Sequence, residues 1–378
     1  MECFGKHACD GDERRAYDNG SKSRCRRELL SEYTVDTPDE KIYGKVLQNW
    51  DGIAKPLDGM GRFETIIARI GAIMGTDEID LAKKAVIIMC ADNGIVEEGI
   101  SQSGQEVTAA VARQMGKGLS CVGRMAVSIG ADTIPIDIGM NCQAPIQGVL
   151  DRKIRCGTRN FKKEPAMTEE ETVQAIMTGI EAVAVCRDEG YRILATGEMG
   201  IGNTTTSSAV AAALLQCDAD TVTGRGAGLS DEKLVYKRQI IAEAIEKYEL
   251  AGADPFRILM TVGGLDIAGL AGVCIGGALY HIPVVLDGVI SMTAALLADR
   301  IVPGTAKYLI ASHKGKEPAV EVLMKELGAE PVIDGKMALG EGTGAVMMMA
   351  LIDMALCIYH GRTLFSDIRV EQYERYFG

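Results

Sequence analysis

Short apolar or β-branched runs recur along the chain, and each ends in glycine or polar residues. Residues 85–90 lead into Ala91-Asp92-Asn93-Gly94, 134–138 into Gly139, and 191–196 into Gly197-Glu198. In the same way 256–262 lead into Gly263-Gly264, 284–286 into Asp287-Gly288, and 308–311 into Ser312-His313. Between them lie stretches with helical spacing of apolar positions, at 106–115, 168–189, 205–215, 231–249, 267–280 and 292–298. This repeated strand, loop and helix predicts an α/β fold, a doubly wound, mainly parallel sheet with flanking helices. Ligands of such sheets bind beyond the carboxyl ends of the strands, where these polar glycine loops fall.

The ends of the chain follow a different pattern. Residues 38–73 read as two helices separated by a turn at Lys55-Pro56-Leu57-Asp58-Gly59-Met60-Gly61. Near the other end, Val332-Ile333 precede a glycine-rich segment at 339–344 and a Met-rich helix at 345–359. Residues 33–75 with 335–378 are therefore expected to form a small helical domain beside a large Rossmann-like domain at 76–334. Residues 1–32 are polar, with a basic cluster from Lys22 to Arg27, and read as a mobile extension. The stretch 267–286 has no charged side chain apart from His281 and is long enough to cross a membrane. Gly269, Gly272, Gly276, Gly277 and Pro283 divide it into a helix and a strand at 284–286, the interior of an α/β protein.

Composition narrows the ligand. A net charge of −12 repels nucleic acid and anionic membranes, so the expected partners are small molecules, with no nucleic acid and no membrane. Any anionic group must be held locally. Eleven irregularly spaced cysteines and an N-terminus without an apolar leader point to reduced thiols and a cytoplasmic protein. The four histidines are scattered, so no metal and no cofactor are expected. Met347–Met349 and Met354 are assigned to core packing.

The densest chemical signal is Ala195-Thr196-Gly197-Glu198-Met199-Gly200-Ile201-Gly202-Asn203-Thr204-Thr205-Thr206. A strand runs into glycines and then into helix-capping residues, so free backbone N–H groups can meet a phosphate and Gly200 and Gly202 allow close approach. Neither a Walker loop nor a dinucleotide fingerprint is present. Glu198 repels a phosphate, which suggests a role toward another part of the substrate. The loop at 223–231 precedes a helix bearing Lys237 and Arg238, either of which could reach a phosphate, while Ser230 reads as that helix's N-cap. Gly263, Gly264 and Asp266 read as another wall of the cleft. At Leu339-Gly340-Glu341-Gly342-Thr343-Gly344 a single carboxylate stands among glycines ahead of an apolar helix. It suits a proton acceptor, although a helix-start acid is the plainer reading of these residues alone.

These two motifs, together with 90–101, Val262-Gly263-Gly264-Leu265-Asp266, Leu286-Asp287-Gly288-Val289-Ile290-Ser291 and the Lys55–Gly61 turn, resemble the nicotinate-nucleotide–dimethylbenzimidazole phosphoribosyltransferases over about residues 38–360. The resemblance implies transfer of ribose 5-phosphate from nicotinate mononucleotide to a benzimidazole nitrogen, with inversion, in building a cobamide's lower ligand. It implies Glu341 as general base and Glu198 as second acid. It further implies Gly200, Ile201, Gly202, Asn203, Thr204, Lys237, Gly263, Gly264 and Asp266 around phosphate and ribose, with Asp92, Ser101, Gln102, Gln105 and Leu339 around the aromatic base. A homodimer is implied too.

Several residues depart from the family pattern. Asn93 stands where many relatives have His, Gln102-Ser103-Gly104 where they have Ala-Tyr-Pro, Asp266 where they commonly have Glu, and Gly315 where they have Ser. The change at 102–104 leaves the acceptor open among a benzimidazole, a purine and a phenol. The alternative of another class is a non-catalytic nucleotide or cobamide-precursor binding protein, which would be marked by loss of Glu341; a dinucleotide-dependent oxidoreductase lacks its glycine fingerprint.

Overall fold

The structure, a computed structural model, describes residues 27–375. Its centre is a six-stranded parallel sheet: β1 (Lys84–Ala91), β2 (Ala131–Gly139), β3 (Leu150–Asp151), β4 (Ile193–Met199), β5 (Val284–Leu286) and β6 (Leu309–Ala311). The order is β3-β2-β1-β4-β5-β6, so the chain reverses its direction of travel across the sheet between β1 and β4. That seam is the switch point at which doubly wound sheets open a crevice.

Strand β1 shows why the sheet is covered on both faces. All eight of its residues are buried. Ala85, Ile87, Met89 and Ala91 enter one hydrophobic cluster, while Val86, Ile88 and Cys90 enter another, as the two-residue period of a strand requires. The first cluster is closed by the helices α5 (Glu169–Asp188), α6 (Asn203–Leu215), α7 (Asp231–Lys247), α8 (Pro255–Val262), α9 (Leu265–Leu279), α10 (Val289–Ile301) and α11 (Ala319–Glu326). The second is closed by α1 (Glu40–Asp51), α2 (Arg62–Met74), α3 (Glu106–Met115), α4 (Cys121–Ser128) and α12 (Thr343–His360). The helices of the two chain ends thus share one core with alternate side chains of β1, β4, β5 and β6. The helix and strand expected within 267–286 are α9 and β5, and every residue of α9 except Leu279 is buried.

Helices α5 and α9 pack backbone to backbone. A Cβ on Gly179 would overlap the Gly269 carbonyl oxygen, and one on Gly272 would overlap that of Ile176. Part of the glycine excess therefore serves this contact.

Three expectations need correction. Residues 256–262, expected as a strand, are helix α8. Asp254 accepts the Arg257 N–H at 3.1 Å, Pro255 occupies the first turn, and Phe256, Leu259 and Val262 are buried at a helical spacing. Met348 and Met349 are core residues, but Met347 and Met354 lie on the outer face of α12 at 43% and 66% exposure. Of the polar extension, residues 1–26 lie outside the described residues, whereas Leu30 is buried and Arg27 hydrogen-bonds Asp254. Ser230 caps α7 as expected, accepting the Lys233 N–H.

By length and composition alone α12 is the one helix among the described residues that qualifies to cross a membrane. Its Val346, Met349, Ile352 and Tyr359 are buried in the second cluster.

Candidate active site

Beyond the carboxyl ends of β4, β5 and β6 lies a cavity of about 240 Å³. Strand β4 delivers Glu198 to it, followed by the turn Gly200-Ile201-Gly202 and the first residues of α6, Asn203 and Thr204. Gly202 adopts φ +94°, the left-handed conformation a side chain resists, and thereby swings the chain from strand into helix. The opposite wall comes from Leu339, Gly340 and Glu341, which precede α12.

The Glu341 turn is an unusual backbone. Gly340, Glu341 and Gly342 have φ of +84°, +62° and +102° in succession. A non-glycine residue in this region is uncommon and is held there by its surroundings. The holder is Asp287 at the end of β5, whose carboxylate accepts the N–H groups of Gly342 (3.1 Å), Gly344 (2.8 Å) and Ala345 (3.3 Å). One buried carboxylate thus caps α12 and fixes the turn. Burial pushes the Asp287 carboxyl up, against the opposing pull of His313 and these N–H groups. Glu341 in turn accepts the Val122 N–H at 3.0 Å, at the start of α4.

The Glu198 carboxyl faces the backbone of the Glu341 turn, where a Cβ on Gly340 would stand 2.5 Å from its Oε1, while the Glu341 side chain is turned to the Val122 N–H. Asn203 Nδ2 donates to Glu198. Burial pushes the Glu198 carboxyl up to about 8, with the Asn203 bond opposing it and the negative charges of Asp266 and Asp287 adding to the effect. At neutral pH it is mostly a protonated carboxylic acid.

Lys237 is fully buried on α7, its Nζ donating to Thr204 Oγ1 at 2.9 Å and to the Gly224 carbonyl at 3.2 Å. Burial pulls it down to about 8. It stands directly behind Thr204, which lines the cavity.

The sequence-derived residues separate into groups. Glu198, Gly200, Ile201, Asn203, Thr204, Leu339 and Glu341 share the main cavity. Ser101 and Gln102 line a side pocket of about 80 Å³ whose wall is the same Gly200–Thr204 turn, and Gly202 faces it too. Gly263, Gly264 and Asp266 lie beneath the cavity: a Cβ on Gly264 would overlap Asn93 and Asp266, and burial pushes Asp266 up to about 6. Asp92 faces away, its carboxylate accepting the Asn141 N–H at 2.7 Å. Gln105 bridges Asn93 and Asn141 on the rim of another cavity. Sequence reasoning did not place Asp287, His313 or Glu317 in the site, although all three line the main cavity. The available signal was the Asp287-Gly288 pair following a strand.

A parallel α/β sheet with a glycine-lined cavity at the carboxyl ends of its strands, acidic residues in the lining and a buried lysine behind it has the layout of an α/β enzyme for a small ligand. Comparison with known proteins makes this specific. A family model described as phosphoribosyltransferase matches residues 35–370. The chain is 44% identical over 336 residues to the nicotinate-nucleotide–dimethylbenzimidazole phosphoribosyltransferase of Clostridium acetobutylicum, covering 89% of this chain and 96% of that protein. It is 44% identical over 329 residues to the protein of the same description from Acetivibrio thermocellus, covering 87% and 94%. The crystal structure of CobT from Thermus thermophilus superposes with a TM-score of 0.84 at 35% identity, covering 88% of this chain and all of that one. The chain belongs to this phosphoribosyltransferase family.

Proposed function

We propose that the protein transfers the 5-phosphoribosyl group of nicotinate mononucleotide to 5,6-dimethylbenzimidazole or a related aromatic base, giving an α-ribazole 5′-phosphate and nicotinate for a cobamide's lower ligand. The observation that supports the reading is the presence of Glu198 and Glu341 in the lining of one glycine-built cavity, in a chain whose relatives bear that name.

The donor's pyridinium ring departs as a neutral nitrogen base and needs no proton. The acceptor does lose one: as one benzimidazole nitrogen attacks C1′, the N–H of the other must be released, and Glu341 is the acceptor for it. Attack from the side opposite the departing ring inverts the anomeric carbon from β to α. Glu198, protonated at neutral pH, is a hydrogen-bond donor toward a ribose oxygen rather than a counter-charge for the developing cation. The phosphate takes Thr204, the N–H groups of the Gly200–Thr204 turn other than those of Ile201 and Asn203, which serve Thr108 Oγ1 and the Gly200 carbonyl, and, behind them, Lys237. The side pocket with Ser101 and Gln102 extends the cavity on the acceptor side. We read the protein as a cytoplasmic enzyme on small molecules. The alternative, a non-catalytic binding protein, is disfavoured because both carboxyl residues stand in the cavity.

The test is incubation with nicotinate mononucleotide and a panel of benzimidazoles, adenine and phenols, followed by product analysis. Nicotinate release together with an α-ribotide is expected, and no nicotinate release with any acceptor refutes the reading. We further propose a homodimer through the outer face of α12, where Met347, Met354 and Ile358 are exposed at helical spacing. Met354→Asp is expected to shift sedimentation toward the monomer.

A further inference from the structure

The mechanism leaves Glu317 and the exposed Lys316, two charged residues of the main cavity's lining, unused. Glu317 stands between β6 and α11, and its Oε1 accepts the Gly226 N–H at 3.1 Å. Its other oxygen lies against Gly224, where a Cβ would overlap it. Gly224 also gives its carbonyl to Lys237, and Glu317 is the charge that favours the protonated lysine. Among the described residues Lys237 makes no ion pair, so its ammonium is a buried cation served by neutral oxygens and by this nearby carboxylate. Gly226 and Thr204 line the same cavity as Glu317.

We propose that Glu317 is an internal anion that holds the phosphate cradle of the empty enzyme and is displaced when the donor's phosphate arrives. This rests on the reading that Lys237 and Thr204 serve that phosphate. A carboxylate already on the Gly226 N–H and within the field of Lys237 occupies what a phosphate needs, and two anions sharing one N–H and one ammonium repel each other. The bound carboxylate favours the charged form of Lys237 against its burial. Its cost is donor affinity, because every phosphate must first displace it. Glu317 is therefore a residue that sets affinity for the phosphate without touching the reacting atoms.

The experiment is calorimetric titration of the full-length enzyme with inorganic phosphate, which reads this site whether or not turnover occurs. Glu317→Gln keeps an oxygen for Gly226 but removes the charge, and is expected to bind phosphate about tenfold tighter, the effect of one charge-assisted contact. Glu317→Asp, too short to reach Gly226, is expected to tighten binding as well and serves if the Gln variant does not fold. Glu321→Gln, an exposed acid paired with Lys314, controls for net charge and should leave phosphate affinity unchanged. Lys237→Met added to either Glu317 variant should abolish the gain. Unchanged or weaker phosphate binding in both Glu317 variants overturns the proposal, as does a gain that survives Lys237→Met or appears equally in Glu321→Gln. Absence of nicotinate release, by contrast, overturns the reaction and leaves this result standing.

Discussion

Glu341→Gln separates what this residue does for the fold from what it does for the reaction. Glutamine keeps the length and a carbonyl oxygen, so the bond from the Val122 N–H (3.0 Å) survives. The three N–H groups that fix the turn are backbone groups on Asp287 and do not involve the Glu341 side chain. What the fold loses is a negative charge at the start of α4, worth about 0.3–1 kcal/mol at a partly exposed helix N-terminus. The reaction loses its proton acceptor, and general-base catalysis is worth about 10²–10⁴-fold, or roughly 3–5.5 kcal/mol. Stability is measured by urea unfolding and rate by nicotinate release at saturating acceptor. A fall in kcat of at least about 100-fold is expected with little change in KM for nicotinate mononucleotide. A kcat within tenfold of the parent refutes the base assignment. A large loss of stability instead assigns the side chain to holding the turn.

Three further outcomes are expected. Glu198 titrates near 8 in the fold and near 4.5 when unfolded, so the unfolded chain loses protons first and stability falls as pH rises between those values; Glu198→Gln should flatten that fall in urea midpoints measured from pH 4.5 to 8. Lys237 is shifted the other way: its charged form is penalised below about pH 8 and the penalty fades toward 10.5, so wild-type stability should rise across that interval. Lys237→Met should remove the rise and be about 1–2 kcal/mol more stable at pH 7, while binding inorganic phosphate at least about tenfold more weakly. Gly179→Ala should cost about 3 kcal/mol or more by driving α5 from α9, read as a lowered melting temperature with unchanged KM in the enzyme that remains folded.

Much of the fold was legible because its periodicities are strong. Strands β1, β2 and β5 and helices α3, α5 and α7 begin or end within a few residues of their expected positions. The miss at 256–262 is instructive. An apolar run of that length fits a buried strand or a buried helix, and the deciding signal was Asp254-Pro255, a helix start. Helix α4 was missed because it is short, Gly123 interrupts its pattern and Gly116, Gly118 and Gly130 stand on either side of it, yet it supplies the N–H on Glu341. In the site, the loops were identifiable but the direction of each side chain was not. Asp92 and Glu198 both belong to the carboxyl ends of parallel strands, and only the packing turns one toward Asn141 and the other into the cavity. Asp287 acts on a turn 55 residues later, a relation that exists only after β5 and α12 are docked.

The order β3-β2-β1-β4-β5-β6 also governs how this protein is made. The cavity draws on residues from Glu198 to Glu341, and Val122 reaches across to complete it. Nearly all of these contacts join distant parts of the chain, the regime in which parallel sheets fold slowly. Glu341 gains its caps only when the last long helix seats over strands synthesised much earlier. A truncated or half-folded chain therefore has no partial binding site to offer. Donor added during refolding engages only finished molecules, so it should raise the yield and the apparent stability through mass action while leaving the early folding steps unchanged.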